Sequence, residues 1–220
     1  MSCTGVILAG GGATRFGGRP KGLETVAGER IIDRVARALR LVTDDLLLVA
    51  NAPEARTWLP GVRTVADVRP GEGALGGLHA ALACAGDASS VGASIAAFAD
   101  GTPSDVLVVA WDMPYVSAAL LGVMRARGEA GDVDAVLPES DGSRRGVEPL
   151  CAWYSARCLA PITAALDAGD RRVIAFLDAV RVARVPLEEV RRFGDPDRLF
   201  GNVNTADDLV RLQGMVPDVD

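Results

Sequence analysis

The sequence predicts an α/β fold in which a mostly parallel sheet is covered by helices on both faces. Short apolar runs rich in β-branched residues recur along the chain, and segments of helical period lie between them. The 220 residues, 49% hydrophobic, are enough to bury one substantial core. No internal repeat or low-complexity linker divides them, so a single domain spanning residues 1–220 is expected.

In chain order, the expected strands are Gly5–Ala9, Leu46–Ala50, Val62–Ala66, Val106–Ala110 and Asp134–Leu137, with further strands at Pro149–Tyr154 and Val180–Val185. Ile31, Ile32, Val35 and Leu39 fall on one helical face, opposite Asp33, Arg34 and Arg37. Leu120, Leu121 and Met124 mark a second surface helix. Thr205 followed by Asp208 resembles a capping box with the shorter acid, opening a last helix through Leu212 with Asn202 and Asn204 in the loop before it. The segment Gly86–Ser104 is rich in Gly, Ala and Ser and holds one candidate short helix, Ala93–Phe98.

Composition excludes several classes. A net charge of −6 offers no long-range attraction to polyanions, which argues against nucleic acid or an acidic membrane surface as partner. No apolar run approaches the roughly 18 residues of a membrane span, and Met1–Ala9 lacks the features of a leader, so a soluble cytoplasmic protein is expected. Cys3, Cys84, Cys151 and Cys158 include no Cys-x-x-Cys pair, and with one histidine there is no zinc constellation. They read as reduced thiols.

The strongest chemical signal is Val6–Leu23, VILAGGGATRFGGRPKGL, where a buried strand runs into six glycines, two arginines and one lysine. Such a loop can set backbone N–H groups and side-chain cations around phosphate oxygens, because glycine permits close backbone approach. It is neither a Walker A loop nor a G-x-G-x-x-G fingerprint at a helix start, and the bland alternative is a flexible glycine turn. Lys21 weighs against that alternative. Of 23 basic residues it is the only lysine, and one placed at random would fall within the 13-residue glycine loop about one time in seventeen. An ammonium is a compact charge able to follow a phosphate whose geometry changes, whereas a guanidinium is a planar fork.

A second signal is VLVVAWDMPYV, in which the strand ending at Ala110 is followed by Trp111 and Asp112. Ligands of doubly wound sheets bind at the carboxyl ends of strands, so Asp112 stands where a Mg²⁺-binding carboxylate is expected; the alternative is a turn former. Asn51 and Asp67 each follow a strand and emerge on the same sheet edge, where they can hydrogen-bond a base or ribose. A carboxylate suits the N1–H and N2 amino donors of guanine. GALGGLHAAL, Gly73–Leu82, is expected to place a glycine pair before a helix, open to close approach of a ligand. His79 reads as a helix-face residue without a role.

In this order the loop, Asn51, Asp67 before GALGGLHAAL, WDMPYV, EPLCAWY and FGNVNTADDL resemble the molybdenum cofactor guanylyltransferases of the nucleoside-triphosphate-transferase superfamily. The likeness runs from Val6 to about Leu209. It implies a Rossmann-like three-layer sandwich and transfer of GMP from GTP to molybdenum-bound molybdopterin, with Mg²⁺ as cofactor and release of pyrophosphate. By resemblance, Leu8, Ala9, Gly10, Gly11, Lys21, Asn51, Asp67 and Asp112 contact GTP. Asp112 also holds Mg²⁺, and Arg15 is the phosphate-loop arginine. Asn202 and Asn204 form an N-x-N-T element beside the active site that can touch the pterin. The resemblance leaves room for transient contact with molybdopterin-delivering or molybdoenzyme-chaperone proteins.

Phe16, Ala74 and Trp111 depart from the family's usual methionine, proline and cysteine, and Gly86–Ser104 looks like an insertion. A phosphate nucleophile is ionised near neutrality and needs no general base, so catalysis can rest on positioning and charge neutralisation by Arg15, Lys21 and Mg²⁺ on Asp112. Alternatives are a cytidylyltransferase acting on the same pterin, a sugar-phosphate nucleotidyltransferase, or a non-catalytic GTP-binding regulator. Leu8-Ala9-Gly10-Gly11, where the cytidylyl enzymes usually read L-A-A-G, favours guanine.

Overall fold

A computed structural model describes residues 2–10, 20–86, 104–143 and 145–214 of the chain. Gly11, Arg15 and the candidate helix Ala93–Phe98 lie outside the described residues.

Seven strands form one sheet in the order β5-β4-β1-β6-β8-β7-β9. They are β1 Cys3–Ala9, β4 Asp45–Ala50, β5 Arg63–Val65, β6 Asp105–Ala110, β7 Ala135–Pro138, β8 Cys151–Tyr154 and β9 Val182–Val185. All seven were expected, with ends shifted by one or two residues. Every neighbour pairs in parallel except β8, which runs antiparallel to both β6 and β7. A small antiparallel pair, β2 Thr25–Val26 and β3 Glu29–Arg30, leads into the first helix. Neither of its strands is long enough to leave a periodic signal in the sequence.

The period of two along each strand builds the layers. Ile7, Leu48, Leu107 and Val109 turn to one face of the sheet. There they meet α1, Ile31–Arg40, α3, Ala118–Ala130, the short α5, Leu187–Val190, and α6, Pro196–Leu199, and the last helix α7, Ala206–Gly214. Val6, Leu8, Leu47, Val49, Val106 and Val108 turn to the other face, against α2, Gly73–Cys84, and α4, Leu159–Asp167. The interior strands β1 and β6 are buried along their whole lengths. Each fully buried aliphatic side chain contributes roughly 1.5–3 kcal/mol, so the two form a firmly held platform in the sheet.

Two sequence expectations need adjusting. The glycine pair Gly76–Gly77 does not precede a helix but lies inside α2, which begins at Gly73. A Cβ on Gly76 would stand 2.9 Å from Glu72 Cβ and 3.2 Å from the Arg69 carbonyl oxygen. The pair thus lets the loop after β5 lie tightly on the first turns of α2. The second is α4, whose apolar residues Ile162 and Leu166 cover the sheet although no amphipathic segment was read there.

The capping box forms as expected. Asp208 N donates to Thr205 Oγ1 at 3.1 Å, and Asp208 Oδ2 accepts from Thr205 N and Asn204 N, each at 3.0 Å. All four cysteines are buried, and no disulfide joins any of them among the described residues. Among the described residues, no helix is long and apolar enough to cross a membrane.

Candidate active site

The carboxyl ends of β5, β4, β1 and β6 share one edge of the sheet, because these strands are parallel neighbours. Asp67, Asn51, Gly10 and Asp112 follow those four ends. From β5 to β6 is three strand spacings of about 4.8 Å, roughly 14 Å, the scale of an extended nucleoside triphosphate.

At the β1 and β6 end, Asp112 is almost completely buried. Its backbone is fixed from both sides: Trp111 N donates to the Leu8 carbonyl at 3.1 Å, and Val203 N donates to the Asp112 carbonyl at 2.9 Å. Lys21 is carried by one turn of 3-10 helix, Lys21–Leu23, behind Pro20. Its Nζ donates to Asp112 Oδ2 at 2.5 Å and to Asn204 Oδ1 at 2.8 Å. Residues 21, 112 and 204 therefore meet at one point, and the Lys21 ammonium bridges the strand-end carboxylate and the N-x-N-T loop. Asn204 is fixed in turn by the bond from its N–H to Asp208 Oδ2.

The turn carrying Lys21 rests on an aromatic floor. A Cβ on Gly22 would overlap ring carbons Cε3 and Cδ2 of Trp111, so glycine is required for this close approach. Trp111 is stacked on Trp58, with centroids 5.1 Å apart and planes 19° from parallel. Trp111 is thus accommodated by a glycine on one face and a second tryptophan on the other. Gly22→Ala is expected to overpack this contact by about 1–3 kcal/mol and to shift Lys21 away from Asp112. A fall in melting temperature with a loss of turnover is the expected reading; unchanged values of both would show that the Trp111 ring yields freely.

At the β4 and β5 end, Asn51 and Asp67 clasp each other. Asn51 Nδ2 donates to Asp67 Oδ2 at 2.7 Å, and Asp67 N donates to Asn51 Oδ1 at 2.8 Å. Asn51 thereby fixes the direction of the Asp67 carboxylate. Asp67 Oδ1 lies 3.7 Å from where a Gly77 Cβ would stand. The neighbouring loop is tied to the α4 side by Arg69–Asp167 and Arg171–Glu72, each at 2.6 Å.

Between the two clusters, Leu8 and Ala9 are buried strand residues. A Cβ on Gly10 would meet nothing within 4 Å. Packing among the described residues therefore does not impose glycine there. His79 lies on α2 with its Nε2 3.2 Å from Thr163 Oγ1, away from both clusters, and burial lowers its pKa.

A sequence model of the MobA-like NTP transferase domain matches residues 5–182, from within β1 to the first residue of β9. The chain belongs to the MobA-like NTP transferases. It is accordingly a nucleotidyltransferase. A molybdenum cofactor guanylyltransferase of Desulfosudis oleivorans is 33% identical over 215 residues, 97% of this chain and 95% of that protein. A protein of Pelotomaculum thermopropionicum named as a probable molybdenum cofactor guanylyltransferase is 37% identical over 215 residues, covering 98% and 94%. Among solved structures, the molybdopterin-guanine dinucleotide biosynthesis protein A of Archaeoglobus fulgidus superposes with a TM-score of 0.73 at 26% identity, covering 96% of each chain.

Within this MobA-like domain, sequence reasoning counted Gly22 only with the phosphate loop and missed Trp58, which together support Lys21 and Trp111. Their only signal was composition: a tryptophan upstream of Trp111 and a glycine directly after the sole lysine. It also missed the surroundings of Asn202. The Oδ1 of Asn202 is buried and has no hydrogen-bond partner among the described residues, in a cavity beside Asn204 lined by Ser140 and Glu148 among others.

Proposed function

We propose that this chain transfers GMP from Mg-GTP to molybdenum-bound molybdopterin, releasing pyrophosphate, and that it does so as a single nucleotidyltransferase domain. The observation that carries the reading is the meeting of Lys21, Asp112 and Asn204 at 2.5 and 2.8 Å, on the same sheet edge as the Asn51–Asp67 pair. One cluster suits phosphates and the other suits a base. The acceptor comes from the names of the relatives.

Asp67 accepts the N1–H and N2 amino hydrogens of guanine, and Asn51 holds the carboxylate in the plane of the base. Leu8, Ala9, Gly10 and Gly11 line the path of the ribose and phosphates. An oxygen of the acceptor's terminal phosphate attacks the α-phosphorus, forming a new P–O bond. The bond to the bridging oxygen breaks, and pyrophosphate leaves with the electron pair. The attacking oxygen is already ionised, so no side chain has to remove a proton, and His79 can stand elsewhere. Lys21 and Arg15 neutralise charge growing on the leaving group.

The residues fit a magnesium ion. Asp112 offers a single carboxylate, its Oδ2 held by Lys21, beside the cluster proposed for phosphates. That is the habit of Mg²⁺, which takes one or two protein carboxylates and leaves its other positions to phosphate oxygens and water. Bound at Asp112, it would withdraw charge from phosphate oxygens.

The test is pyrophosphate release with GTP, CTP, ATP and UTP, with and without molybdenum-molybdopterin. GTP together with the acceptor should give the dominant rate; faster turnover of CTP would overturn the guanine reading. Asp67→Ala removes both acceptors for the base while leaving the Lys21–Asp112 pair intact. Hydrogen bonds to a charged group contribute about 1.5–3 kcal/mol, so a rise in the KM for GTP on the order of 10- to 100-fold is expected, with reduced preference over CTP. An unchanged KM for GTP would remove Asp67 from base recognition.

A further inference from the structure

Beside Asn204, on the same sheet edge, lies a cavity of about 400 Å³ between the ends of β7 and β8 and the loop entering α7. Its lining includes Ser140, Glu148, Asn202, Asn204, Asp208 and Arg211. Glu148 is set rigidly there. Its N–H donates to the Pro138 carbonyl at 3.0 Å and its carbonyl accepts from Cys151 N at 3.1 Å. Ser143 Oγ holds the Val147 carbonyl at 2.8 Å.

The side chain of Glu148 is half-buried and makes no ion pair among the described residues. Burial raises its pKa, and a hydrogen bond with the Ser140 hydroxyl offsets this only in part. Removing a carboxylate from water without a cation is costly, and such groups in clefts mark places where a ligand supplies the missing donors.

Charge decides which end of the acceptor belongs here. The lining carries Glu148, Asp197 and Asp208 against Arg211. Asp208 is engaged by the cap of α7, and Asp197 is exposed at the mouth. A phosphate would be repelled from such a wall and drawn toward Lys21. A heterocycle with paired N–H donors would be welcomed. A pterin has that edge in its N3–H and 2-amino group, which present two parallel hydrogens to one carboxylate.

We propose that Glu148 determines acceptor specificity, its carboxylate accepting the N3–H and 2-amino hydrogens of a pterin seated in this cavity, with the pterin's phosphate directed toward Asn204 and Lys21. The inference rests on the acceptor reading above and deepens it. Asn202, whose Oδ1 is buried in the same wall with no partner among the described residues, is placed to take a further donor.

Two measurements test it. In steady state with both substrates, Glu148→Gln should raise the KM for molybdopterin on the order of tenfold or more and leave the KM for GTP within about twofold, because an amide cannot accept both hydrogens. In equilibrium binding to the wild-type protein, 6-hydroxymethylpterin should bind on the order of tenfold more tightly than 6-hydroxymethyl-lumazine, which carries oxygen in place of the 2-amino group. Glu148→Gln should erase that preference. Equal binding of the two heterocycles by the wild type overturns the proposal even if the variant does not fold. GMP transfer by the wild type with an unchanged molybdopterin KM in Glu148→Gln overturns it while leaving the function standing. No transfer to molybdopterin at all overturns the function and this proposal with it.

Discussion

Asp112→Asn is expected to lower kcat on the order of 10²- to 10³-fold and to raise the Mg²⁺ concentration needed for half-maximal rate, while the protein remains folded. The substitution keeps the shape of the side chain and an oxygen that can still accept from Lys21 Nζ, but it removes the charge. The carboxylate is only 11% exposed, so little water screens what is lost. A purely structural reading competes here. Breaking a buried ion pair by removing one partner costs about 3–5 kcal/mol, and on that reading Asp112 exists to neutralise Lys21. The readings separate in two measurements. A structural counterion predicts a large fall in melting temperature and unchanged Mg²⁺ dependence in whatever enzyme remains folded. A metal-holding carboxylate predicts the reverse, because Asn204 still holds Lys21 from the other side at 2.8 Å.

The parallel sheet was legible in the sequence because each of its strands is a short apolar run, and β1, β4 and β6 are buried on both faces. The same property singled out Asp112, which follows the fully buried β6 after Trp111, although the same position also suits a turn former. Asn51 and Asp67 could be placed on one edge from strand order alone. Their clasp could not, because a reciprocal hydrogen bond across 16 residues leaves no local pattern. The meeting of Lys21 with Asn204 was hidden for a stronger reason: 183 residues separate them, and only the return of the chain after β9 brings the N-x-N-T loop to the end of β6. Gly22 shows the limit of reading glycines by conformational freedom. It was counted with the phosphate loop, yet its lack of a Cβ serves the face of Trp111. Glu148 lay in view inside EPLCAWY, but nothing in the string says that its neighbours are a serine and a cavity instead of an arginine. Arg15 and Gly11 stand as the sequence left them.

Lys21→Ala is expected to reduce kcat on the order of 10²-fold or more, the loss typical of deleting one preorganised electrostatic contact. The more informative variant is Lys21→Arg. If Lys21 supplied only positive charge for binding, arginine should serve, since both cations attract a triphosphate over similar distances. The site makes a different demand. The ammonium has three donors, and Asp112 Oδ2 and Asn204 Oδ1 take two of them, which leaves one for a phosphate oxygen. A guanidinium is longer and planar, and it cannot converge on both acceptors from the same point. The backbone cannot retreat to make room, because Gly22 is already against the Trp111 ring and Trp111 against Trp58. Arginine should therefore restore most of the GTP affinity but not the rate, with the deficit in kcat and little change in the KM for GTP. That split identifies an interaction made mainly with the departing pyrophosphate in the transition state. The check is a steady-state comparison of the wild type, Lys21→Ala and Lys21→Arg at saturating Mg²⁺, with melting temperatures to confirm folding. Near-wild-type kcat in Lys21→Arg would show that the position needs only a cation, and the argument from the chain's sole lysine would fail.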